Sequence, residues 1–282
     1  MKKWFKSFVL SFLLVVAPVW ANHENRFSDK EIKKIAQQSY ALNIAQWEAA
    51  KKQIAGVDTP KLWLVTVGMS AESLAFDGDV EAIKRFFKGV DGEVVSLSYS
   101  NLIDGKKVRA PLAYPQALAQ DFAKMADLVG ANDKVLLLIS THGSVGELSA
   151  NIMDWYGSMS DDDLQAALKP LANTPTTLIL SACHSGSFIG KLKRDNRIIL
   201  TSAASDRSSF GCQFESDNTW FIKALLQNDD RSVSIKSLFD SANKQVTQWE
   251  VKEDYTPSKP QVFIGKDSEK WANQPIEQWL HY

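Results

Sequence analysis

The sequence predicts an α/β fold built on a mostly parallel sheet, and three observations carry that prediction. Short apolar, β-branched runs recur at Leu62–Val67, Val94–Ser98, Val135–Ile139, Thr177–Leu180, Ile198–Thr201 and Gln261–Ile264. Helical patterns separate them, at Asp79–Lys88, Gln116–Val129, Asp161–Leu168, Asn218–Gln227 and Ile235–Val251. No Gly-, Ser- or Pro-rich linker, internal repeat or low-complexity segment divides the chain. Strands that alternate with helices are joined by crossovers, which keeps them parallel and covers both sheet faces.

The elements follow in order. The chain opens with Lys2, Lys3 and Lys6, runs apolar from Phe8 to Val16, and then reads Ala17-Pro-Val-Trp-Ala21. That is the layout of a signal peptide spanning 1–21. The apolar run falls short of the roughly 20 residues that a spanning helix needs. An exported protein, periplasmic or secreted, is therefore expected, with no stable membrane insertion after cleavage. Residues 22–56 read as an N-terminal helical segment. Ser28-Asp-Lys-Glu31 has capping-box spacing, and Ile32, Ile35 and Leu42, with Tyr40, Ile44 and Trp47, give it enough apolar surface to dock on the body. Farther on, Ser160 followed by Asp161, Asp162 and Asp163 marks a helix start where anions meet the positive end of the dipole.

Composition narrows the function. The 282 residues are 45% hydrophobic and 23% charged, which excludes disorder, collagen and coiled coil as whole-chain readings. A formal charge of −1 lacks the basic footprint of a nucleic-acid binder. Two cysteines, Cys183 and Cys212, make neither a disulfide framework nor a structural zinc site, so no metal is expected.

In an open parallel sheet, ligands bind beyond the carboxyl ends of the strands. Two consecutive runs end in chemistry there: Val135–Ile139 leads into Ser140-Thr-His142-Gly143, and Thr177–Leu180 leads into Ser181-Ala-Cys183-His184-Ser185-Gly186-Ser187. Each delivers one half of a thiol–imidazole pair to one rim. A free thiol has a pKa near ~8.5 and needs an imidazole to take its proton and later return it to a leaving amine. Small residues after Cys183 permit a tight turn into a helix, whose start would depress the thiol pKa, and leave backbone N–H groups of Cys183 and Gly143 for an oxyanion. His184 competes as base, but neighbours on an extended segment point to opposite faces, which favours His142. His23 and His281 lie near the termini.

These two strand ends, with Ile199-Leu-Thr-Ser-Ala-Ala-Ser-Asp206-Arg207-Ser-Ser-Phe210-Gly-Cys212, Asp217-Asn-Thr-Trp220-Phe221 and Pro257-Ser-Lys-Pro260-Gln261, resemble the C13 (legumain-like) cysteine peptidases of the caspase-like clan, in their bacterial branch. The resemblance covers roughly Lys61 to Gly265, within a peptidase domain at 57–282. It implies a caspase-like three-layer fold with a mostly parallel six-stranded sheet flanked by helices. It also implies His142 as general base, Cys183 as nucleophile, Gly143 and Cys183 as oxyanion donors, and a peptide or protein substrate with no cofactor. The reaction implied is peptide-bond hydrolysis through a thioester. Transpeptidase or transamidase relatives and a catalytically silent binding protein stay open.

The chain departs from legumains in its pocket. No basic residue follows the first strand in Gly68-Met-Ser-Ala-Glu-Ser-Leu-Ala-Phe76-Asp77-Gly78-Asp79, and Ser181 stands where legumains place an acid. Asn specificity is therefore not expected to carry over. Ser181, Asp206, Arg207, Asp217 and Trp220 are the candidate substrate-binding residues. Cys212 is expected to pack as a small residue rather than bridge to Cys183, since bridging needs Cα atoms about 5.5–6 Å apart.

Overall fold

The computed structural model describes residues 27–88, 90, 93–105, 107–213 and 215–280. The signal-peptide segment, His23 and His281 lie outside them. Helix α1 (Asp29–Ile54) starts on the expected capping box, with Ser28 accepting from the Glu31 N–H and Glu31 reaching back to the Ser28 N–H. Strand β1 (Lys61–Gly68) and helix α2 (Leu74–Phe87) follow, then β2 (Glu93–Ser100) and a two-stranded ribbon of β3 (Ile103–Asp104) and β4 (Lys107–Val108). Next come α3 (Pro115–Ala126), β5 (Lys134–Ser140) and a meander of β6 (Gly143–Ser144), β7 (Glu147–Ile152) and β8 (Trp155–Ser160). Helix α4 (Asp161–Ala167), β9 (Thr176–Ser181), a 3-10 turn at Ser185–Phe188, α5 (Ile189–Leu192) and β10 (Arg197–Thr201) lead to α6 (Trp220–Leu225). The described chain ends with α7 (Ile235–Lys252), β11 (Gln261–Ile264) and α8 (Glu269–Asn273).

The six expected runs form one sheet in the order β11-β10-β9-β5-β1-β2, parallel throughout except for β11 against β10. Side chains alternate between its faces. Trp63, Val65 and Val67 face a cluster with Trp47 of α1 and Leu118, Phe122 and Met125 of α3. Leu62 and Leu64 face Ile83, Phe86 and Phe87 of α2, Phe221 of α6, Leu238 and Phe239 of α7, and Trp279. Helices on both faces of the sheet give the three layers expected.

Helix α1 does more than cover a face. The Gln46 side chain accepts from the Ser98 N–H at 3.0 Å, and Gln53 donates to the Val94 carbonyl at 2.9 Å. Both are backbone groups on the outer edge of β2, where no further strand pairs, so the helix occupies an edge that would otherwise invite another strand.

Three local expectations need correction. Helix α2 begins at Leu74 rather than Asp79, capped by Ser73, whose hydroxyl accepts from the Ala75 N–H. Gly78 lies inside this helix, where a Cβ would overlap the Asp217 carbonyl, so close approach demands glycine. The β6–β8 meander was not anticipated, since its exposed face breaks the apolar alternation. After Cys183 the chain makes a 3-10 turn and one short turn of α-helix, so no long helix dipole points at the thiol.

Candidate active site

Strands β5 and β9 are neighbours, and their last register pair is Ser140 with Ser181. One residue farther, the Thr141 N–H donates to the Ser181 carbonyl at 3.1 Å. His142 and Cys183 each stand two residues beyond that pair, so register alone brings them to one point on the rim. Contact is tight: a Cβ on Gly143 would lie 2.6 Å from the Cys183 carbonyl oxygen, which leaves room for no side chain. Ser187 ties the two segments further, accepting from the Gly146 N–H and donating to the His184 carbonyl.

The turn after β9 isolates one N–H. The Ala182 N–H donates to Ser202 Oγ, that of His184 to the Arg207 carbonyl, that of Ser185 to Ala182 and that of Gly186 to Ala203. The Cys183 N–H has no acceptor among the described residues. Gly143 sits opposite Leu148, next to the pair in which the Ser149 N–H donates to the His142 carbonyl. Alternation in an antiparallel ladder therefore turns the Gly143 N–H away from β7. Neither the Cys183 N–H nor the Gly143 N–H is therefore turned to a neighbouring strand.

The half-buried Cys183 thiol is held by the loop after β10. Its Sγ accepts from the Ser209 N–H at 3.3 Å, with Ser209 Oγ at 3.8 Å. The thiol also donates to the Ser209 carbonyl at 3.6 Å, so one residue of that loop meets it from both sides. His142 packs edge-on to Phe76 at 4.9 Å, and its Nε2 lies 3.6 Å from Glu72 Oε2. Burial lowers the His142 pKa and the Glu72 carboxylate partly restores it, which leaves the ring neutral at pH 7, as a base requires. Glu72 is itself placed by the meander, accepting from Asn151 Nδ2 at 2.9 Å. Glu72 was passed over in the sequence because it lies in a stretch marked by what it lacks; only the fold puts it at His142.

His184 departs from its expected conformation. It is not extended: at φ 57° it occupies the left-handed region, and its Nδ1 meets the Ser205 carbonyl at 3.0 Å. Cys212 is half-buried and free, as is Cys183, and burial together with the nearby Cys183 raises its pKa.

The candidate pocket residues scatter. Ser181 is 1% exposed, with its hydroxyl 2.9 Å from Thr219 Oγ1. Its side chain is buried among its protein partners. Asp206 is exposed, 3.9 Å from Arg207 Nε. Arg207 offers its carbonyl to the Cys183 turn, while its buried Nε makes no hydrogen bond. Asp217 is exposed and meets α2 through its carbonyl at Gly78. Trp220 is half-buried against Phe210, Trp249 and Tyr255.

Among the described residues, no group of three or more His, Cys, Asp and Glu side chains is placed to hold a metal ion, and no helix is long and apolar enough to cross a membrane. No curated protein matches the chain. The Peptidase C13 family matches residues 120–268, a stretch that starts in α3, contains both His142 and Cys183, and ends just after β11. More than half of the sequence lies within that match, and with the central sheet arranged as above, the chain belongs to the Peptidase C13 family.

Proposed function

We propose that this protein is an exported cysteine endopeptidase in which Cys183 is the nucleophile and His142 the general base. The observation that supports the reading is the register of β5 and β9, which sets residues 142 and 183 at the same level of one rim, with the Cys183 N–H unpartnered among the described residues. His142 takes the thiol proton, and the thiolate attacks a substrate carbonyl carbon. The oxygen of the tetrahedral adduct rests on the N–H groups of Cys183 and Gly143. Collapse to a thioester expels the amine, which leaves with the proton from His142. Water, deprotonated by the same imidazole, then cleaves the thioester and restores the thiol. Glu72 orients the ring through Nε2 and favours the imidazolium formed at each step. Residues 1–21 support export, and a peptide or protein is the substrate class.

The test is intact-mass measurement of the reduced protein after a thiol-directed acyl mimic, comparing wild type, Cys183→Ala and His142→Ala. Labelling at Cys183 that requires His142, followed by cleavage in a peptide library, is the expected result. If Cys183 labels no faster than Cys212, the peptidase reading fails. Product masses with an added amine separate hydrolysis from transpeptidation.

A further inference from the structure

Beneath the rim lies a polar cluster that the chemistry above does not use. Asp79, on α2, is 0% exposed, and its two carboxylate oxygens face different donors. Oδ1 accepts from the Thr219 N–H at 3.0 Å and from Asn218 Nδ2 at 3.1 Å. Oδ2 accepts from the Ser140 hydroxyl at 2.6 Å and the Thr219 hydroxyl at 2.8 Å. Thr219 spends its one hydroxyl hydrogen on Asp79, so the bond to Ser181 must run the other way, with Ser181 donating. A single carboxylate therefore gathers the last residue of β5 and the start of α6 directly, and the last residue of β9 through Thr219.

Those residues stand close to the chemistry. Ser140 precedes His142 by two positions, and Ser181 precedes Cys183 by two. Asn218 and Thr219 close the loop from β10 that carries Ser209, the donor to the Cys183 thiol. That loop is otherwise fastened by Ser73, whose hydroxyl donates to the Gln213 carbonyl at 2.8 Å, and by the Trp220 N–H on the Phe210 carbonyl. A buried carboxylate without a cation beside it is costly to keep for stability alone. Among the described residues, no charged side chain is bonded to it.

We propose that Asp79 is a positioning residue that fixes the spacing of His142, Cys183 and the Ser209 loop by bracing the two strand ends and the start of α6 from below. The inference rests on the proposed role of His142 and Cys183. It extends that role to a residue that touches neither.

The experiment compares wild type, Asp79→Asn, Ser140→Ala and Thr219→Val, each checked for folding. Ser140→Ala and Thr219→Val leave the Asp79 side chain in place and each remove one hydroxyl donor from it, so they test the brace itself and serve if Asp79→Asn does not fold. Three quantities are read: the alkylation rate of Cys183 against Cys212, kcat and KM on a cleaved peptide, and the titration midpoint of the His142 imidazole by NMR, with His184 as internal control. The expected result is a drop of about tenfold in Cys183 alkylation and in kcat with KM unchanged, since displacement near 1 Å can cost up to about a hundredfold. The His142 midpoint moves and that of His184 does not. A lower thermal midpoint with Cys183 reactivity, kcat and the His142 midpoint all unchanged overturns the inference. If wild-type Cys183 is no more reactive than Cys212, the peptidase reading falls by itself. The His142 midpoint still decides the role of Asp79, and an unmoved midpoint in Ser140→Ala rejects it.

Discussion

Asp79 and Asp121 are both buried aspartates that collect donors from distant parts of the chain, yet they join different things. Asp121, on α3, accepts from Asn43 Nδ2 at 3.0 Å, Trp47 Nε1 at 2.8 Å and the Tyr99 hydroxyl at 2.9 Å. It fastens α1 to the body, and Tyr99 is held well above its ordinary pKa by burial and by that carboxylate. Asp79 instead links strand ends beneath the rim. The donor chemistry differs in a telling way. Indole and amide N–H groups can only donate, so two of the three partners of Asp121 demand an acceptor. The two hydroxyls on Asp79 Oδ2 can donate or accept, so that oxygen can carry a proton without breaking the cluster. Asp79 fits this: burial pushes its pKa up to about 7, against the lowering effect of its hydrogen bonds to Ser140, Thr219 and Asn218. The brace under the rim tolerates either protonation state of Asp79.

The sharpest way to separate the regions is to damage each. His142→Ala is expected to lower turnover by at least about a hundredfold while leaving the thermal midpoint nearly in place, as removal of a general base should; parallel activity and melting measurements check it. Asp121→Ala is the mirror experiment. Two buried donors and one half-buried donor lose their acceptor, and a stability loss of about 3 kcal/mol is expected by urea unfolding, with Cys183 reactivity per folded molecule unchanged. Reduced reactivity there would break the comparison.

The pH dependence of stability discriminates next. The folded pKa of Asp79 is raised from 3.8 to about 7, so the folded state holds this proton over a window in which the unfolded state has released it. Its contribution to stability is therefore full below about pH 4, falls as pH rises, and levels off above about 7. Wild type minus Asp79→Asn isolates that slope, whose total is on the order of 4 kcal/mol. A difference that stays flat between pH 4 and 7 would refute the raised pKa. The smallest effect belongs to the edge: Gln53→Ala removes two exposed side-chain bonds to β2, to the Val94 carbonyl and the Glu93 carboxylate, and should cost about 0.5–1 kcal/mol, without effect on labelling at Cys183.

Much of this was legible before folding. Apolar runs of β-branched residues mark buried parallel strands, and all six took their places. His142 and Cys183 were readable because chemistry at two strand ends is a local pattern. Glu72 was not, since nothing nearby in sequence distinguishes it from a solvated carboxylate until Asn151 and His142 arrive. Asp79 was misread as the first residue of a helix; its significance depends on Thr219, 140 residues away. Ser181 was assigned to the pocket by resemblance, and its burial in the cluster follows from which face of β9 it takes.

The sequence by itself determined the strands, the helices between them, the capping box of α1, and the two loops that carry thiol and imidazole. Each rests on residues within a few positions of one another, where periodicity and turn chemistry act. Tertiary structure alone decided the partner of His142, the donors on the Cys183 thiol, the free Cys183 N–H, the cluster around Asp79 and the use of α1 to close the β2 edge. Those depend on register and on helix packing. Burial, the strongest term acting on Asp79, exists only once distant segments have closed over it.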